Sequence, residues 1–345
     1  MVTQEQVARK LGFSRQLVTL ALAGYPHVAE ASRRRILAAA RSMGYRPNPH
    51  ARALKAGRTG IVALWVPDQI SSHYTQVARE MNRRVKQARH ELIISEVGTP
   101  EAERLLSHVP VDGIFAVDAP DQVRRHLRSP DSRVPVISLG AECCARTDFV
   151  RVDLDAGTRA VMRHLIGSGY RRIVHATFMH PNHPYAGRRT VYTEAMRRAG
   201  LKAEFFLYPL SEQQRGIVRR GIRRFIRRRG APEAIFCHSD DVALGIYRGL
   251  CDLKLRVPED VALAGCDGIQ DTEYLECPIT TLVQPVADMC AEAWEFLEKR
   301  LKQPQARRQR AVLKPQLVVR ASSLRPVRGA RRDEAPARGC RFSRR

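Results

Sequence analysis

Two pairs of side chains in this sequence have types suited to molecular recognition. Arg15 and Gln16 are adjacent, directly behind Ser14. A guanidinium pairs bidentately with a guanine edge and a carboxamide with an adenine edge, so the two together suit the reading of duplex DNA. Arg188 and Asp267 lie far apart in the chain. Brought to one cleft, a donor fork and a carboxylate could grip the hydroxyls or carboxylates of a small polar molecule from two sides. Each pair also has a plainer reading. Arg15 and Gln16 could be solvent-facing residues of a small helix, and Arg188 and Asp267 could hold each other or cap helices. The sequence carries no nucleophile elbow, phosphate loop, Ser-His or Cys-His arrangement, so neither catalysis nor a cofactor is expected.

The elements that would present Arg15 and Gln16 are legible. Thr3 can cap a helix over 4–11 with Val7, Ala8 and Leu11 on one face, and Gly12 breaks it. Ser14 caps a second helix over 15–22, buried through Leu17, Val18 and Ala21. A third runs over 31–43, with Ile36, Leu37, Ala40 and Met43 apolar and Gly44 placed to end it. This is a helix-turn-helix pattern, whose second helix enters the major groove. Residues 45–58 then form one short turn of potential helix between a proline start and a glycine stop, too short to be stable alone.

Charge agrees with a polyanionic partner. The 345 residues carry a formal +24. Residues 1–58 hold 11 Lys and Arg against Glu5 and Glu30, a net +9, and the tail 327–345 is a further +5. At 44% hydrophobic residues the remainder is long enough to bury a sizeable core. The eight cysteines show no Cys-x-x-Cys pair, and no leader or membrane-spanning run is apparent, so reduced thiols and a cytoplasmic, chromosome-associated location are expected.

From Gly60 the pattern changes to apolar strands alternating with helices. Strands are expected over 61–66, 92–94, 113–117, 134–139, 172–177, 203–207, 234–237 and 261–264, with helices over 74–89, 155–168, 187–199, 212–229 and 241–252. Fully apolar strands imply parallel sheets covered on both faces. Two such sheets, breaking near residue 150, would leave a cleft where ligands meet the carboxyl ends of the strands. His175, His180 and His183 span a strand end and a Pro-rich loop without helical metal-site spacing, so 180–184 reads as a cleft loop and no metal is expected. Residues 219–229 hold seven arginines around Ile222, Phe225 and Ile226. They read as a seated helix with a solvated outer face, with nonspecific nucleic-acid contact as the sharper option.

Residues 2–325 resemble the LacI/GalR family of bacterial transcription regulators. In the head the match rests on Val7-Ala8, Gly12-Phe13-Ser14, Val18-Thr19, Gly44-Tyr45, Pro47-Asn48, Ala51, Leu54 and Arg58-Thr59-Gly60. In the body it rests on Val111-Asp112-Gly113-Ile114, Gly169-Tyr170-Arg171-Arg172-Ile173, Gly265-Cys266-Asp267 and Pro278-Ile279-Thr280-Thr281-Leu282, among others. The resemblance implies an all-α helix-turn-helix head with a hinge helix, then an α/β core of two parallel-sheet subdomains like periplasmic binding proteins. The expected division is head 1–45, hinge 46–58, effector-binding and dimerisation core 59–325, and a basic disordered tail 326–345.

It also implies roles. Arg15, Gln16 and Leu20 fall on base-reading positions, Ser14 and Thr19 on phosphate-contacting ones, and Leu54 on the leucine that wedges into the minor groove. Leu17 stands where relatives have threonine and Leu20 where they often have arginine, so the operator should differ from the usual one. Arg188 and Asp267 match effector-gripping positions, with Arg189 a near-equal alternative to Arg188 in register; Tyr74 matches an aromatic of the same cleft, and Asp240 is a weaker candidate that also reads as a helix N-cap. The expected protein is a homodimeric repressor of a pseudo-palindromic operator, controlled by a sugar-type effector. A transport binding protein is argued against by the head. An effector-independent architectural DNA binder is the alternative.

Overall fold

The computed structural model describes residues 2–45, 58–67, 71–98, 109–129, 133–178, 187–211 and 213–325. Leu54 and almost all of the hinge, the tail, His180 and His183 lie outside them. Two compact units are present, 1–60 and 61–345.

Among its described residues the first unit contains three helices, α1 (Gln4–Leu11), α2 (Arg15–Leu22) and α3 (Glu30–Ser42). The start of α1 is a capping box: Thr3 Oγ1 accepts from Gln6 N, and Gln6 Oε1 accepts from Thr3 N at 2.8 Å. Gly12 ends α1 at φ 70°, a left-handed conformation that favours glycine. Ser14 Oγ accepts from Leu17 N and starts α2. Val7, Ala8, Val18, Ala21, Ile36 and Ala40 close a small shared core.

The second unit is built on two sheets. The first contains β1 (Ile61–Val66), β2 (Glu91–Glu96), β3 (Gly113–Val117), β4 (Val136–Gly140), β5 (Asp148–Val152) and β11 (Arg310–Leu313), in the order β2-β1-β3-β4-β5-β11. The second contains β6 (Ile173–Phe178), β7 (Glu204–Tyr208), β8 (Ala234–Cys237), β9 (Ala262–Asp267), β10 (Thr280–Val283) and β12 (Gln316–Val318), in the order β7-β6-β8-β9-β10-β12. All pairings are parallel except β10 with β12. Both sheets thus repeat one doubly wound order, and the central strands are buried along their whole length, as their apolar sequences require.

The helices of this unit are α4 (Ser72–Gln87), α5 (Pro120–His126), α6 (Leu154–Gly167), α7 (Gly187–Arg198), α8 (Gln214–Arg229), α9 (Asp240–Asp252) and α10 (Val286–Lys302). The boundary between sheets is not the single break expected near residue 150. The chain crosses from β5 to α6, returns after β10 when α10 packs on α4, β4 and β5, and crosses again between β11 and β12. Three adjacent connections therefore join the subdomains. The return escaped the sequence reading because β11 is an edge strand with alternating exposure, without an apolar run. The seven cysteines among the described residues are unbridged.

Candidate functional site

In the head, the side chains of Arg15 and Gln16 are exposed on the first turn of α2, and among the described residues neither has an internal partner. Their donors remain available to an external surface. Thr19 is less free: its hydroxyl lies 2.9 Å from both Gln4 Oε1 and Arg15 O, tying α2 to α1. Ser14 spends its acceptor on the cap but keeps its hydroxyl donor exposed. Leu17 and Leu20 are half-buried against the head core, so only part of Leu20 faces outward.

In the second unit a cavity of about 970 Å³ opens between the two sheets, at the carboxyl ends of their strands. Asp118 follows β3 and Tyr74 sits in the first turn of α4, both on the first subdomain's wall. Arg188 at the start of α7, His238 after β8, Asp267 ending β9 and Gln284 after β10 form the opposite wall. The fold thus brings Tyr74, Arg188 and Asp267 together from three distant stretches of sequence.

Arg188 and Asp267 do not pair with each other among the described residues; each has its own support. Arg188, 7% exposed, places Nη2 at 2.6 Å from His238 Nε2 and Nη1 at 3.4 Å from Cys266 Sγ. A guanidinium can only donate, so His238 Nε2 must be the acceptor, which leaves that imidazole neutral with its proton on Nδ1. Asp267 accepts from Gln284 Nε2 at 2.9 Å and sits at φ 127°, an unusual backbone angle that turns its carboxylate into the cleft wall. Burial raises its carboxyl pKa, and the nearby Arg188 charge opposes the rise. The guanidinium and carboxylate are thus close enough to feel one another while keeping separate acceptors and donors.

Asp240 does not line the cavity. It is fully buried, and Oδ2 accepts from Gly268 N at 2.8 Å and Ile269 N at 2.9 Å, while Oδ1 accepts from the Thr281 hydroxyl at 2.7 Å. Burial and the Asp267 charge both raise its pKa. Ser239, one residue earlier, is the N-cap of α9. Asp240 therefore clamps the loop that carries Asp267. A Cβ at Gly265 would collide with its carboxylate, which gives the Gly265-Cys266-Asp267 motif its physical basis.

The Tyr74 ring packs against the hydrophobic core, and its hydroxyl reaches Asp118 Oδ2 at 3.5 Å, so core and cleft readings both describe it. His175 is wholly buried, stacked on Phe236 and donating from Nδ1 to Phe236 O at 3.0 Å, and burial holds its pKa down to about 3. Among the described residues no cluster of His, Cys, Asp and Glu is placed to hold a metal.

Sequence reasoning missed three parts of this site. Asp118 and His238 gave no signal, since a lone acid or histidine after a strand is unremarkable. The third is a bridge beside the cavity. Ser72 at the start of α4 donates through N and Oγ to Asp241 at 2.9 and 2.8 Å, and Arg215 of α8 binds the same carboxylate at 2.6 Å and Ser72 Oγ at 2.9 Å. One carboxylate thus ties the two subdomains together.

A sequence profile for a periplasmic binding protein-like domain matches residues 162–323. The ribose operon repressor of Escherichia coli is 26% identical over 330 residues, spanning 94% of this chain and 100% of that protein. The chain is similar over almost its whole length to LacI/GalR-type repressors. Among solved structures, a LacI-family regulator from Silicibacter pomeroyi superimposes with a TM-score of 0.79 at 21% identity, covering 94% of this chain and 100% of that one. The lac repressor dimer bound to operator and an anti-inducer gives 0.78 at 23% identity, covering 94% and 99%. The two-sheet LacI/GalR architecture expected from the sequence is the one observed. Among the described residues no helix is long and apolar enough to cross a membrane.

Proposed function

We propose that this protein is a homodimeric transcription regulator, a repressor, that binds a pseudo-palindromic operator and is controlled by a small sugar-type molecule in the cleft between its subdomains. The observation that carries this reading is the coexistence of two unlike recognition surfaces in one chain. One is the helix-turn-helix with exposed Arg15 and Gln16 donors, and the other is the walled polar cleft holding Arg188 and Asp267. Arg15 and Gln16 read base edges, Leu20 adds apolar contact, Ser14 and Thr19 meet phosphates, and Leu54 wedges the minor groove. Arg188, Asp267 and Tyr74 hold the effector, with Asp240 acting through the Asp267 loop. Effector binding shifts the subdomains about their three connections, and this movement biases DNA affinity. The protein acts without catalysis, in the cytoplasm with the chromosome.

Selection of bound sequences from random duplex DNA, at near-physiological salt, tests this. An enriched palindrome with a flexible central step is expected. Binding without enrichment would overturn sequence-specific regulation and leave an architectural DNA binder.

A further inference from the structure

The arginines of α8 fall into two populations. This helix carries eight arginines and no acid over Gln214–Arg229. Val218, Ile222 and Ile226 anchor it to the second sheet's core. The arginines flanking that seam are neutralised within the protein. Arg219 binds Asp252 bidentately at 2.6 and 2.9 Å, Arg223 reaches the same carboxylate, Arg229 lies 3.9 Å from Glu204, and Arg215 holds Asp241. The remaining four, Arg220, Arg224, Arg227 and Arg228, are exposed and have no ion pair among the described residues.

Helical geometry puts these four on one face. At 3.6 residues per turn they fall within an arc of about 100°, opposite the buried seam, and they extend about 12 Å along the axis. Like charges at this spacing repel one another, and no glutamate intervenes to offset them. The row is therefore destabilising in the isolated protein and is relieved by a polyanion. The one large apolar side chain of α8 within that arc, Ile217, is half-buried, and Phe225 and the anchoring residues lie outside it. A protein partner would lack the apolar anchor on which such interfaces depend. Guanidiniums alone suffice for a phosphodiester backbone, which offers one charge per about 1.7 Å of duplex axis.

We propose that Arg220, Arg224, Arg227 and Arg228 form a second, sequence-independent contact surface for the phosphate backbone of duplex DNA, separate from the helix-turn-helix.

The test uses the full chain and a long random-sequence duplex, with affinity measured across a salt series. Replacing all four residues with glutamine (Arg220→Gln, Arg224→Gln, Arg227→Gln, Arg228→Gln) should reduce the slope of log affinity against log salt by about 3–4. The corresponding four lysine substitutions should retain it. The melting temperature of the glutamine variant should equal or exceed that of the parent, which confirms that it folds. An unchanged slope overturns the proposal. So does displacement of the arginine-dependent component by polyglutamate as effectively as by duplex of equal charge, which would assign the row to an acidic polypeptide.

Discussion

Arg15 in the head and Arg188 in the cleft are chemically the same donor in opposite settings. Arg15 is exposed, and among the described residues its side chain has no partner. Arg188 is buried and already oriented by His238 and Cys266. Water satisfies an exposed guanidinium at little cost, so Arg15 can wait unpaired and its hydrogen bonds count only once a base edge replaces that water. A buried guanidinium has no such reserve. It must be held by preset acceptors, which fixes its geometry before any ligand arrives and ties recognition to the stability of the wall around it.

The contrast is broken most forcefully at Asp240. Asp240→Ala should leave two backbone N–H groups and a buried hydroxyl without their acceptor, at roughly 1–3 kcal/mol each, less the relief of repulsion on Asp267. A net loss of about 3–4 kcal/mol in urea denaturation is expected. A loss below about 1 kcal/mol would mean that the Asp267 loop does not depend on this clamp. In the head the order reverses, with a small effect on folding and a large one on recognition. Arg15→Ala should cost about 1–3 kcal/mol of discrimination at one base pair while leaving unfolding within about 0.5 kcal/mol of the parent. A uniform loss on all sequences would reassign Arg15 to the phosphates.

The smallest effect expected is a pH dependence confined to the second unit. Burial, reinforced by Asp118, pushes Glu142 up to about 7, and burial also raises Asp267 and Asp240. Acids whose pKa rises on folding bind extra protons in the folded state. Their contribution is therefore fully present below the unfolded pKa, near 4, and is lost as pH rises through about 7. Melting of the second unit should fall across that window, and Glu142→Gln should flatten the fall. An unaltered profile in this variant would show that Glu142 is solvated.

Short-range structure was readable in advance. The capping box at Thr3 and Gln6, the Ser14 cap and the apolar central strands involve partners within four residues or an unbroken apolar run, and α1, α2, β1, β3 and β8 begin and end where the pattern places them. The cleft was readable only as a list of members. Arg188, Asp267 and Tyr74 were identifiable from motif matches, but the residues that orient or replace them in the wall were not. His238 is 50 positions from Arg188, and Asp241 is 169 positions from Ser72.

What the sequence by itself determined was therefore local: the caps, the turns, the burial of the parallel strands and the amphipathic seating of α8. Each depends on neighbours along the chain, whose geometry follows from helix and strand periods. Tertiary structure alone decided that α10 and β11 return to the first sheet, that Asp240 turns inward while Asp241 bridges the subdomains, and that, among the described residues, four arginines of α8 have no ion pair while four are neutralised. These outcomes depend on which side chains converge after the crossovers close, and convergence at hydrogen-bond distance is set by packing and register across hundreds of residues, which a periodic pattern does not encode.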